Sequence, residues 1–93
     1  MRIAWTIRAV HDLGSLRAYI ARDDPTAAAA VAARICEAVE RLADFPASGR
    51  PGRLPDTREL VVAGTPFILP YRVRENGVEI LAVIHGARRW PEA

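Results

Sequence analysis

TRELVVAGTPFILPYRVRENGVEILAVIH, residues 57–85, holds three apolar runs separated by two turn signals. The runs cover residues 57–63, 66–75 and 78–85, and each is short and rich in β-branched and aliphatic side chains, as strands are. Asn76-Gly77 is a two-residue hairpin signal, because both central positions of that turn favour positive φ. It predicts Glu79 opposite Arg74, Ile80 opposite Val73, Ala82 opposite Tyr71 and Ile84 opposite Leu69. Directly opposed residues share a face. Leu69, Tyr71, Val73, Ile80, Ala82 and Ile84 then form one apolar face. The other carries an Arg74–Glu79 pair with Arg72, Pro70, Ile68 and His85. A turn at Gly64-Thr65 sets Val62 against Phe67 and Leu60 against Leu69, with the same side apolar. Two hairpins that agree in this way predict an antiparallel sheet covered on that side. Pro70 has no N–H to give a ladder, so a bulge or an unpaired position is expected there.

The cover comes from the amino-terminal half. Residues 2–5 are a short strand candidate, and Thr6 can cap a helix over residues 7–22. Ala9, Val10, Leu13, Leu16 and Ile20 share one face of it, with His11 and Ser15 opposite and Tyr19 at the border. Asp24-Pro25 ends one helix and starts the next, Asp24 as cap and Pro25 in the first turn. The second helix runs to about residue 44 on helical-pattern grounds. Its stripe is Ala28, Val31, Ala32, Ile35, Val39 and Leu42, with Cys36 on the flank. So short a turn makes the two helices an antiparallel hairpin. Residues 46–56, PASGRPGRLPD, read as a surface loop. The expected architecture is α+β in the order β-α-α-β-β-β: a helix hairpin on one face of a small, mainly antiparallel sheet, one domain over residues 1–93.

Composition excludes several function classes. The chain has 93 residues, 13 basic and 11 acidic, for a net charge of +2, and every basic residue is arginine. That charge is too small to argue nucleic-acid binding by itself. One cysteine rules out an internal disulfide framework. Two histidines on separate elements give no metal-ligand spacing, and GRPGR, residues 49–53, precedes no helix start that would make it a phosphate loop. No metal and no cofactor are expected. No apolar run approaches the roughly 18 residues of a membrane span. The opening MRIAWTIRAVHDL is too polar for a signal segment, so a cytoplasmic location and no membrane partner are expected.

The candidate chemistry lies in the loop and sheet half. Arg50, Arg53, Arg58, Arg72, Arg88 and Arg89 suit forked contacts with phosphate or carboxylate. His85 and Tyr71 are the proton-transfer candidates near them, with Tyr71 expected to face the helices. Arg88, Arg89 and Trp90 are residue types enriched in interface hot spots.

Several local sequences arrive in order with this architecture: Ala9 with Asp12-Leu13, Tyr19-Ile20, Gly49-Arg50, RELVV at 58–62, YRV at 71–73, and VEILAVIHGARRW at 78–90. Together they resemble the RelE/ParE family of toxins from bacterial type II toxin–antitoxin pairs, and the ending resembles the ParE branch more. The resemblance implies a growth-arresting toxin held inactive by a cognate, ParD-like antitoxin in a hetero-oligomer. ParE-like members poison DNA gyrase by binding. RelE-like members cut messenger RNA on the ribosome as metal-independent endoribonucleases. On the first reading Arg88, Arg89 and Trp90 contact the target. On the second, His85 acts as acid or base while Arg58, Arg72 and Arg88 hold the phosphate. RelE-like nucleases carry a tyrosine or similar acid near the C-terminus. Trp90 stands there instead, and it has no acidic proton, so a non-enzymatic toxin is favoured. Leu16, Tyr19 and Arg58 are the expected antitoxin contacts.

Overall fold

The computed structural model of the chain describes residues 1–87 together with Trp90 and Pro91. In chain order the elements are β1 (Arg2–Trp5), α1 (Ile7–Ala21), α2 (Pro25–Arg41), β2 (Arg50–Pro51), β3 (Arg58–Val61), β4 (Phe67–Arg74), β5 (Gly77–Ile80) and β6 (Ile84–His85). The sheet runs β1-β5-β4-β3-β2, with β6 also paired to β4. All pairings are antiparallel except β1 with β5. The helix hairpin covers one face, so the fold is the expected α+β arrangement. β2 is a two-residue strand inside the stretch expected to be loop.

Both helices start where their capping residues dictate. The Thr6 hydroxyl accepts from the Ala9 N–H, and the Asp24 carboxylate accepts from the Ala27 N–H, with Pro25 next to it. Ala9, Ile35, Ala38, Val39 and Leu42 are buried against Val62, Leu69, Tyr71, Val78 and Ile80, forming the main core. Val10 falls outside this core: it is 59% exposed, on the solvent side of α1. Val73 lies on the helix side but at its rim, 40% exposed.

The first sheet hairpin has the expected register, with Leu60 opposite Leu69 and the Val62 N–H donating to the Phe67 carbonyl. The second hairpin differs in two ways. Its turn is Glu75-Asn76, so Arg74 faces Gly77, Val73 faces Val78 and Tyr71 faces Ile80. Neither Asn76 nor Gly77 has positive φ. Gly77 is needed for another reason: a Cβ there would collide with the Arg2 carbonyl of β1. This slip moves the pairing by two residues and keeps the faces, since strand side chains alternate with period two.

The second difference changes faces. Tyr71 faces Ile80 but Ile68 faces Ile84, so three residues on one strand span two on the other. Residues 81–83 therefore contain a bulge, opposite Pro70. Ala82 and Ile84, expected under the helices, lie on the outer face in a second small core with Ile68. Val83 takes their place in the main core. His85, expected on the polar outer face, pairs with Phe67 on the helix side.

Three bonds hold the bulge in place, one to β4 and two to α1 and its cap. The Leu81 N–H donates to the Pro70 carbonyl. Proline cannot donate in return, and the Leu81 carbonyl accepts from the Thr6 hydroxyl at 3.0 Å instead. The Val83 N–H donates to Asp12 Oδ2 at 3.0 Å. Thr6→Ala thus removes a helix cap and strands a carbonyl. It is expected to cost about 2 kcal/mol, read from the denaturant midpoint, with Thr6→Ser recovering most of it.

Candidate functional site

The bulge opens a groove at the end of the sheet. Once His85 turns to the helix side, its ring meets Phe67 edge-on, with centroids 6.0 Å apart and planes at 83°. Leu16, Tyr19 and Ile20 of α1 and Val31 of α2 form the other walls, and the groove encloses about 540 Å³. Tyr19 is 71% exposed on its rim, whereas Leu16 and Phe67 are half-buried and touch the main core. The lining is mainly apolar, with Asp12, Ser15 and His85 as polar groups. An exposed aromatic beside a concave apolar surface can receive apolar side chains of another chain.

The outer face of the sheet has a different character. Glu59 is 2% exposed, and its carboxylate is held by three donors. Arg50 gives Nε and Nη2 to Oε1, at 3.3 and 3.0 Å, and the Arg53 backbone N–H gives to Oε2 at 3.1 Å. The Arg53 guanidinium lies 3.4 Å from the same oxygen. A buried carboxylate needs such partners, because leaving it unpaired would cost several kcal/mol. At the other end of this face Trp90 covers Ile68, Ala82 and Ile84. The Arg8 guanidinium sits 5.7 Å from the ring centroid of Trp90 while its Nε is held by the Asp12 carboxylate. The Trp90 indole nitrogen is buried and has no acceptor among the described residues.

The residues expected to form a nuclease site are not brought together. Tyr71 is fully buried, and its hydroxyl donates to the Pro46 carbonyl and accepts from the Gly49 N–H. The Arg58 guanidinium is on the helix side, holding the carbonyls of Gly49 and Ala47. Arg72 projects from the outer face, opposite Glu79. His85 is on the helix side, with Nδ1 accepting from the Ala87 N–H. Arg72 is therefore on the opposite face from His85 and Tyr71, while Arg58 shares their side but stands level with Tyr71, four residues along β4 from Phe67, the partner of His85. Arg88 and Arg89, expected in target contact, lie outside the described residues. Of the expected antitoxin contacts, Leu16 and Tyr19 line the groove, and Arg58 is level with Tyr71, away from it.

Sequence reasoning gave no role to Asp12 or Phe67, and it offered Glu59 as a local partner of Arg58, whereas Glu59 holds Arg50 and Arg53. Asp12 was legible as the partner of Arg8 at a four-residue helical spacing. Glu59 was legible as a lone carboxylate in an apolar strand, with two arginines in the preceding loop.

Comparison with known proteins adds to this geometry. Residues 3–90 match the family described as the ParE toxin of type II toxin-antitoxin system, parDE. The chain is 56% identical over 91 residues to a protein named "Putative toxin Y4kP" from Sinorhizobium fredii, covering 98% of this chain and 94% of that one. It is 38% identical over 87 residues to "Toxin RelE2" of Caulobacter vibrioides, covering 94% and 97%. A solved structure titled "Chromosomal ParDE TA system from P. aeruginosa" superposes with a TM-score of 0.81 at 30% identity, covering 91% of this chain and 95% of that one.

Proposed function

The chain belongs to the ParE toxin family of type II toxin–antitoxin systems, and from that premise we propose that it arrests growth in the cytoplasm by binding and poisoning DNA gyrase. The observation that supports the choice of target is the separation of His85 from the cations expected beside it, with Tyr71 locked in the core. Cleaving RNA through its 2′-hydroxyl needs a base, an acid and a cation around one phosphate. His85 faces the helices, Tyr71 is buried with both hydroxyl bonds used, and Arg72 is on the far side of the sheet. A binding poison needs none of these together. It needs only a surface that prefers one state of the enzyme–DNA complex. Target contact falls to Arg88, Arg89 and the half-buried Trp90.

The cognate, ParD-like antitoxin neutralises the toxin by placing apolar side chains in the groove at Leu16 and Tyr19, with a further contact at the half-buried Arg58. The alternative, ribosome-dependent messenger cleavage, is separable by a short pulse of expression. Loss of plasmid supercoiling and DNA-damage signalling is the expected result; immediate translation arrest with cut messages would overturn the gyrase reading. His85→Ala is expected to retain full toxicity in the same assay while the antitoxin still protects. A folded His85→Ala protein without toxicity would restore the nuclease reading.

A further inference from the structure

The strand registers gather arginines on the face of the sheet that the helices leave open. Arg2 of β1 stands opposite Gly77, which stands opposite Arg74. Arg72 is two residues along the same strand and so on the same face. Arg50 stands opposite Glu59, and the Arg53 guanidinium reaches the same carboxylate. Among the described residues two carboxylates share this face with the five arginines. Glu59 is buried under its arginines, and Glu79 lies 3.5 Å from Arg74. Among the described residues the face thus carries a surplus of three positive charges, in a chain whose whole net charge is +2. Charge is segregated here, which the overall balance conceals.

The arrangement suits an extended anion better than a single phosphate. Arg72 and Arg74 are about 7 Å apart along β4, and Arg2 lies about 10 Å across the sheet from Arg74, by strand geometry. Among the described residues Arg72 has no ion-pair partner. The Arg50 side chain is 51% exposed and uses only Nε and Nη2 on Glu59, so Nη1 remains free to point outward. Glu59, being buried, orients the guanidinium without presenting a negative charge to an incoming anion. Arginine forks match phosphate oxygens, and a regular row of phosphates is the polyanion with the required spread.

We propose that this outer sheet face binds the phosphodiester backbone of duplex DNA, holding the toxin beside the DNA segment on which gyrase acts. The proposal rests on the gyrase reading for its choice of duplex DNA as occupant, and its test separates the two. The purified full-length toxin is titrated, up to about 100 μM, against a fluorescently labelled duplex of about 20 base pairs, without gyrase, at several salt concentrations. The logarithm of the binding constant should fall with the logarithm of salt with a slope of about −3. Arg72→Ala and Arg74→Ala should each weaken binding several-fold and reduce the slope by about 1. Arg17→Ala, on the exposed side of α1, should change neither, and all three variants should unfold at the wild-type denaturant midpoint. No salt-dependent binding, equal loss in Arg17→Ala, or tighter binding of an RNA of the same length would each overturn the proposal. In a parallel supercoiling assay, a toxin that inhibits gyrase yet ignores the duplex removes this surface and leaves the gyrase reading standing. A toxin that binds the duplex through Arg72 yet leaves gyrase active supports the surface and removes gyrase as the target.

Discussion

Tyr71→Ala is expected to leave the protein largely unfolded. Tyr71 is the largest of the fully buried side chains, and it joins the sheet to the loop after α2. Truncating a buried aromatic costs about 3–5 kcal/mol through lost contacts and an unfilled cavity. The hydroxyl adds to this, because its loss would orphan the Pro46 carbonyl and the Gly49 N–H, now bonded at 2.7 and 2.8 Å. A domain of this size has a total stability of about 5–15 kcal/mol, so the loss takes a large share. Tyr71→Phe isolates the hydroxyl and should cost about 1–3 kcal/mol. Gly49 shows how close the fit is: a Cβ at that position would sit 2.5 Å from the phenolic oxygen. Denaturant unfolding of the two variants decides the matter. A Tyr71→Phe protein as stable as wild type would mean that the loop is held by something else.

Tyr19→Ala is expected to release the toxin from its antitoxin with little effect on the fold. The side chain is 71% exposed in the free protein, so its removal should change stability by less than about 0.5 kcal/mol. In the complex the same ring would be covered on the groove rim, and truncating such an aromatic anchor costs about 2 kcal/mol or more. That corresponds to roughly a 30-fold loss of antitoxin affinity. Titration calorimetry with the cognate antitoxin measures it directly, and co-expression gives the cellular result, toxicity despite the antitoxin. Leu16→Ala should combine both effects, since Leu16 also touches the main core. Unchanged affinity in the Tyr19→Ala protein would remove the groove from the antitoxin interface.

Most of the architecture was legible from local chemistry. Thr6 and Asp24 announce both helix starts, and Gly64-Thr65 sets the first hairpin correctly, because one register alone keeps Leu60 and Leu69 inside. The second hairpin was harder for a physical reason. Leu81, Ala82, Val83 and Ile84 are all apolar, so either alternation buries two of them, and the pattern cannot choose between faces. Pro70 signalled that something must give, but not on which strand. Asn76-Gly77 looked like a turn pair, whereas Gly77 serves the approach of β1, a contact between residues 75 positions apart in the chain. The misplacement of Ala82, Ile84 and His85 follows from that one extra residue, and so does the groove. The helix stripe placed Leu16 and Tyr19 on α1, and the family resemblance made them candidate contacts. Phe67 and Asp12, which complete the groove, depend on the bulge and could not be.

The change of side at residues 81–83 also divides the labour within one short segment. Val78, Ile80 and Val83 pack under the helices, whereas Ala82 and Ile84 pack with Ile68 beneath Trp90. Drift in the terminal segment can therefore be accommodated by exchanges at Ile68, Ala82 and Ile84 while the layer beneath the helices stays as it is. A lineage could thereby refit its terminal segment to a new target and keep the same antitoxin.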